Sequence, residues 1–179
     1  MLLLDKHGAP ETRGLPKCSE GKLAATDTEQ ARRACPDAII GTGFGAAVVE
    51  LPEQAPIEAS SPITIFNGPE RHGNPTAIGH AYLEYPSPTT YLVQSEIEPI
   101  HKGRYGYRIV IDFPKLVNDY GSPVFGEVTI DRKWQYKGRT LSIANARCAD
   151  GHLQARVEAT FKDGTFLQGT AIKTCTIKR

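Results

Sequence analysis

No stretch of this 179-residue sequence approaches the roughly 20 consecutive apolar residues that a membrane-crossing helix requires, and no helical membrane span is expected. Charge of one sign is missing too: 21 Lys and Arg stand against 20 Asp and Glu, so no broad field draws nucleic acid or an acidic membrane. The opening residues, MLLLDKHGAP, lack the basic leader and small-residue cleavage site of a signal peptide. LLLD followed by KHG reads as the end of a strand entering a turn, which places the expected natural start, leader included, upstream of Met1. Long helical patterns are scarce. The 17 Gly and 13 Pro are instead spread along the whole chain, which suits many short strands joined by turns.

The four cysteines contain no CxxC pair. Zinc sites bring ligands in close pairs, and the five histidines (His7, His72, His80, His101, His152) supply none at tight spacing, so no metal is expected. Four free buried thiols would suit a cytosolic protein. Two disulfides, Cys18 with Cys35 and Cys148 with Cys175, each closing a short local segment, are the favoured arrangement, and such bonds persist in an oxidising compartment.

What the chain does contain is β signal. One short helix is expected over 27–35, with Thr26 as N-cap, Glu29 completing a capping box and Pro36 as the stop. GTGFGAA (41–47) fits the glycine fingerprint of a dinucleotide-binding loop, but that loop follows a strand and opens a long helix. Here the glycines follow a helix, and Pro52 and Pro56 leave barely two turns after them. They are expected to lie in a strand whose bare positions admit another backbone, or a bulge. PITIFNG (62–68) reads as a strand ended by Asn67-Gly68, a strong turn pair. In RYGYRIVIDFP, Tyr105, Tyr107, Ile109 and Ile111 alternate with Arg104, Arg108 and Asp112. Residues 154–177 read as a hairpin turning at Asp163-Gly164. The expected fold is all-β, an antiparallel β-sandwich with one short N-terminal helix, in a single domain over 1–179 with a disulfide-pinned turn and helix at 1–36.

The order GLPKC, KLA, a short helix ending in Cys35, IIGTGFGAAVVELP, FNG, KGRYGYRIVIDFPKL, YGSPV, RCADGHLQARVEATFKDGT and a final KTC resembles a family of secreted, uncharacterised actinobacterial proteins. The likeness covers nearly the whole chain and rests on turn glycines and cysteines. It implies a leader peptide and a first strand upstream of Met1. It carries no catalytic residues.

Catalytic candidates are thin. His80, Tyr82 and Glu84 alternate, with Asp112 and Glu127 on other strands, but such residues most often form the solvated face of a strand. Ser19, Ser60, Ser61 and Ser122 sit in no nucleophile elbow, and calcium-loop patterns are incomplete. No catalytic residue and no cofactor is expected. The aromatic residues, 8% of the chain, offer a possible stacking platform: Tyr82, Tyr85, Tyr105, Tyr107, Trp134 and Tyr136, with Tyr91 and Tyr120 further candidates. Half-buried tyrosine is also an ordinary sheet residue. His101, Lys102, Arg104 and Arg108 form a basic strand entry. The expected function is a non-catalytic extracytoplasmic domain, structural or protein-interacting, located outside the cell or at its surface. The alternative is a carbohydrate or cell-wall binding module. The expected partner is accordingly another protein or a cell-surface glycan.

Overall fold

The computed structural model describes residues 1–148 and 150–176, and all of their side chains except those of His101 and Lys102. In chain order the elements are β1 (Leu2–Asp5), β2 (Gly8–Pro10), α1 (Glu20–Leu23), α2 (Thr28–Ala34), a 3-10 turn (Pro36–Ala38), β3 (Ile39–Val49), β4 (Ile57–Arg71), β5 (Asn74–Leu83), β6 (Thr89–Lys102), β7 (Tyr105–Asp112), a second 3-10 turn (Val117–Asp119), β8 (Gly121–Ile130), β9 (Lys133–Tyr136), β10 (Arg139–Ser142), β11 (Ala144–Ala146), β12 (His152–Thr160) and β13 (Phe166–Thr174). The class is all-β and antiparallel, as the alternation implies. Nine strands form one large sheet in the order β13-β12-β1-β7-β6-β5-β4-β3-β8, while β10-β9 and β11-β2 form two small ribbons.

Register sorts the side chains of this sheet. Residues directly opposite one another in a ladder share a face. On one face Gly41, Gly43, Gly45 and Ala47 stand beside Ile65, Ile63, Ser61 and Ala59, and Ala77, Gly79 and Ala81 stand beside Ser95, Val93 and Tyr91. It continues through Ile97 beside Ile109, Leu2 and Leu4 beside Val157 and Ala155, and Val157 beside Gly169. The other face carries the ionic ladder, with Glu98 opposite Arg108 and Gln94 opposite Asp112.

The sheet curls toward its apolar face. Two stretches of chain cross that side. The first, from β7 to β8, sets Leu116 and Val117 against the buried cluster of Val49, Ala59, Leu83 and Tyr91, and Tyr91 Oη accepts from the Val117 N–H at 3.0 Å. The second, between β8 and β12, sets Ile143 and Trp134 against Leu15, Ile40, Ile65 and Ala77 at the opposite end. Asp119 in the first crossing ion-pairs with Lys162 at the tip of the β12–β13 hairpin, which draws the two ends of the sheet toward each other. The result is a half-barrel whose edge strands, β8 and β13, remain unpaired.

The N-terminal segment packs on the other, convex face. Cys18, Leu23, Ala31, Cys35 and Ala38 bury Phe66 and Ile78 of β4 and β5. The Cys18–Cys35 bond, with Cα atoms 5.8 Å apart, fixes this cap, since helices of four and seven residues are too short to hold themselves. Cys148 and Cys175 form the second disulfide, and no described cysteine is free.

Three local expectations are corrected. The α2 cap is Asp27, whose side chain accepts from the Gln30 N–H while Gln30 returns to the Asp27 N–H, so the capping box lies one residue later than Thr26 and Glu29. Thr26 is occupied elsewhere, donating to Leu23 O at 2.6 Å. A further helical turn, α1, precedes α2. Asn67-Gly68 is no turn: both lie inside β4, which runs on to Arg71. The Asn67 Nδ2 is buried and donates to Leu15 O and Pro16 O, and that tertiary demand outweighs the local turn preference.

The glycines of GTGFGAA lie in β3 and admit another backbone. A Cβ on Gly43 would stand 2.0 Å from Glu127 O, and one on Gly41 2.4 Å from Thr129 O. The β3–β8 register also shifts between Ala46 and Ala47.

Candidate functional site

Three places in this frame bring together side chains or backbone that no local element satisfies. The first is on the convex face. Beside the helical cap, an open groove of about 470 Å³ is lined by Leu92, Gln94, Glu96, Val110, Asp112 and Phe113, with the Arg71–Glu20 ion pair at its border. Asn74 donates to Glu96 at 2.7 Å, and this bond holds the carboxyl below its ordinary range. Glu98 is neutralised by Arg108. Among the described residues no group of three or more His, Cys, Asp or Glu stands together, so the described side chains offer no metal centre. A smaller hollow of about 250 Å³ lies by Pro86, Tyr91, Lys115 and Val117.

His80 belongs to the convex face but not to solvent. It is 0% exposed beneath the helical cap, where its Nε2 lies 3.1 Å from Thr26 O, an acceptor that only an N–H can satisfy. Among the described residues its Nδ1 has no hydrogen-bond partner. Burial pushes the imidazole below its ordinary pKa, keeping it neutral. The solvated-strand expectation therefore fails for His80, because α2 covers that stretch of β5. Glu84 is exposed just beyond the end of β5, while Asp112 and Glu127 lie on strands at different places in the sheet.

Asp5 anchors the end of β1. Burial raises its carboxyl, and bonds from the His7 and Gln154 N–H groups and from Arg104 outweigh that and hold it low. Arg104 reaches Asp5 at 2.8 Å and Asp150 at 2.6 Å, so the basic strand entry is in part an internal network. His101 and Lys102 lie outside the described side chains.

The six aromatic candidates occupy four separate places. Tyr82 is on the convex face and Tyr85 on the loop after β5. Tyr105 and Tyr107 are half-buried on β7: Tyr107 stands beside Leu4 on the concave face, while Tyr105 stands opposite Asp5 past a register shift and its Oη accepts from Gln154 Nε2 at 2.9 Å. Trp134 and Tyr136 share one face of β9. The Trp134 Nε1 donates to Arg13 O at 3.0 Å, and the Tyr136 ring lies over Gly14, whose Cβ would meet it at 2.1 Å.

The other two places are the unpaired edge β13 and the concave face. Along β13 every residue is exposed, including Phe166, Leu167 and Ile172 at 52, 57 and 65%. Glu158 directs both its N–H and its carbonyl to Met1, so its neighbours in β12 face β13. By the alternation of antiparallel ladders, the backbone groups of Gln168, Thr170 and Ile172 then point away from the sheet. Sequence reasoning found this strand but not its edge position, which no local pattern encodes.

No protein-family model, curated protein or solved structure matches the chain. What is shown is a mostly-β protein with two disulfides, and those bonds point to an oxidising, extracytoplasmic environment. Among the described residues no helix is long and apolar enough to cross a membrane.

Proposed function

We propose that the chain is a non-catalytic extracytoplasmic domain that engages another protein by accepting an extended strand along β13. The observation that carries this reading is the contrast between the two sheet edges. Edge β8 is guarded, with Pro123, Glu127 and a register shift against β3. Edge β13 pairs with β12 over nine residues without a register shift. It has no proline and a single charge, Lys173, and its apolar side chains flank unpaired backbone. A long regular edge of this kind is a template for strand addition. The resemblance to secreted actinobacterial proteins supports a location outside the cell or at its surface. The glycan alternative draws less support, since its six aromatics do not share a face.

The test is selection of extended peptides from a displayed nine-residue library against the disulfide-intact protein and against Thr170→Pro. Proline there removes an outward N–H and no β12 ladder bond. Peptides that bind the wild type and lose affinity at least tenfold on Thr170→Pro, with the melting temperature little changed, support the proposal. An absence of selected peptides, or binding indifferent to the proline, overturns it.

A further inference from the structure

From the concave face of the half-barrel we infer a binding trough for an anionic amphiphile, its apolar chain along the sheet and its head group on the chain crossing that precedes β11. This inference goes beyond the strand-addition proposal and does not rest on it.

The trough is apolar without being a closed core. Its buried clusters lie only at the two ends, under the crossings at Leu116–Val117 and at Ile143–Trp134. Between them Ile63, Val93, Ile97 and Ile109 are half-buried. On the walls flanking the seam, Val128, Val157 and Leu167 are 41, 51 and 57% exposed. The strand register puts no Asp, Glu, Lys or Arg on this middle stretch. The floor is also shallow in side-chain bulk, with the small residues Gly79 and Ala81 at its middle. From Ala77 to Leu83 the face runs about 20 Å at 3.3 Å per residue, its two ends under the crossings and its middle open to a segment of an extended acyl chain. Half-buried aliphatic surface without charge favours a ligand segment of the same character.

Charge decides the other half of the ligand. Residues 131–147 hold five cations, Arg132, Lys133, Lys137, Arg139 and Arg147, against one acid, Asp131. Among the described residues none of the five is ion-paired. Among the described residues the buried Nε of Arg132 has no hydrogen-bond acceptor, and it lies by the end of the trough, where the Ile143 N–H donates to the Arg132 carbonyl at 2.9 Å. The Arg132 guanidinium at the end of an uncharged trough, within a basic crossing, complements a carboxylate or phosphate head on an apolar chain.

The experiment measures oleate and oleyl alcohol binding to the whole disulfide-intact chain by calorimetry, with sedimentation to follow the oligomeric state. Wild type is expected to take one oleate per chain. Val157→Glu, at an exposed wall position, should weaken oleate and oleyl alcohol alike by about tenfold or more, because the chain would have to desolvate a charge. Leu167→Glu gives the same readout should Val157→Glu not fold. Arg132→Gln should weaken oleate about tenfold or more, the scale of one charge-assisted bond, and leave oleyl alcohol unchanged. Thr170→Pro should leave both unchanged, which separates this site from strand addition on β13. Absence of saturable binding, binding indifferent to both wall substitutions, or a stable dimer that oleate does not dissociate overturns the inference; the dimer would show that a second copy covers the face.

Discussion

Replacing Gly43 with alanine tests the joint between β3 and the edge strand β8. The added methyl would sit 2.0 Å from Glu127 O, 2.9 Å from Val128 Cα and 3.0 Å from Glu127 C, all of them backbone atoms of the facing strand. No side chain can rotate away to relieve this. The strands must separate by about 1 Å, which breaks roughly the two ladder bonds flanking the position at about 1 kcal/mol each. β8 cannot simply slide, because Gly121 N–H is bonded to Leu116 O at one end and Ile143 N–H to Arg132 O just past the other. Against the loss stands the usual gain of about 0.4–1 kcal/mol when an unstrained glycine becomes alanine. With some residual strain the net cost is about 2 kcal/mol, a drop in melting temperature of about 4–8 °C for a chain of this length. Gly126, in the same ladder, is the control: nothing lies within 4 Å of its Cβ position, so Gly126→Ala should be neutral or stabilising by several tenths of a kcal/mol. Urea unfolding of the pair gives the answer. Gly43→Ala as stable as wild type, or both variants falling alike, would refute the close-approach argument.

Removing the disulfides one at a time by paired Cys→Ser substitution should cost about 3 kcal/mol for Cys18–Cys35, closing a separation of 17, and slightly more for Cys148–Cys175, closing 27; denaturant midpoints with unchanged slopes would check it. Stability should also fall on the acid side. His80 has its folded pKa depressed below 6.5, so below that pH the unfolded chain binds a proton that the folded chain refuses, and stability declines as pH drops. His80→Gln should flatten the slope between pH 7 and about pH 5.5, and an unchanged slope would exclude His80 as its source. Asp5 is likewise depressed, below 3.8; its contribution is present above that value and is lost as pH falls through its folded pKa. Asp5→Asn should remove that second, more acidic step from the stability profile, and a step that persists would assign it to another carboxyl.

Strand existence was legible wherever one face is buried and the other wet. Tyr105 to Ile111 alternate in the sequence and alternate across β7, and Asp163-Gly164 turns the last hairpin with Gly164 at a φ of 86°. What depends on distant partners was not legible. Asn67-Gly68 has every local mark of a turn, yet residues 15 and 16, some fifty positions away, capture the Asn67 amide. Thr26 and Glu29 satisfy a capping box as well as Asp27 and Gln30 do on paper, and the choice falls to Thr26 being held by Leu23 O and His80. The concave trough and the β13 edge are properties of strand order, and alternation states which residues share a face without stating which strand lies last.

Strand β1 carries a consequence for how the chain reaches this state. Its four residues lie between β7 and β12, and Met1 bonds Glu158 across a sequence separation of 157. An early strand in chain order is therefore locked in place by a much later one, so the joint between β1 and β12 is one of the final ones to close. Contacts of such range carry a large loop-closure cost before they return any burial, which places folding in the slow class of all-β topologies. Until β12 arrives, β1 is itself a temporary edge with Leu2 and Leu4 uncovered, and assembly is a race between completing that joint and meeting another unfinished chain.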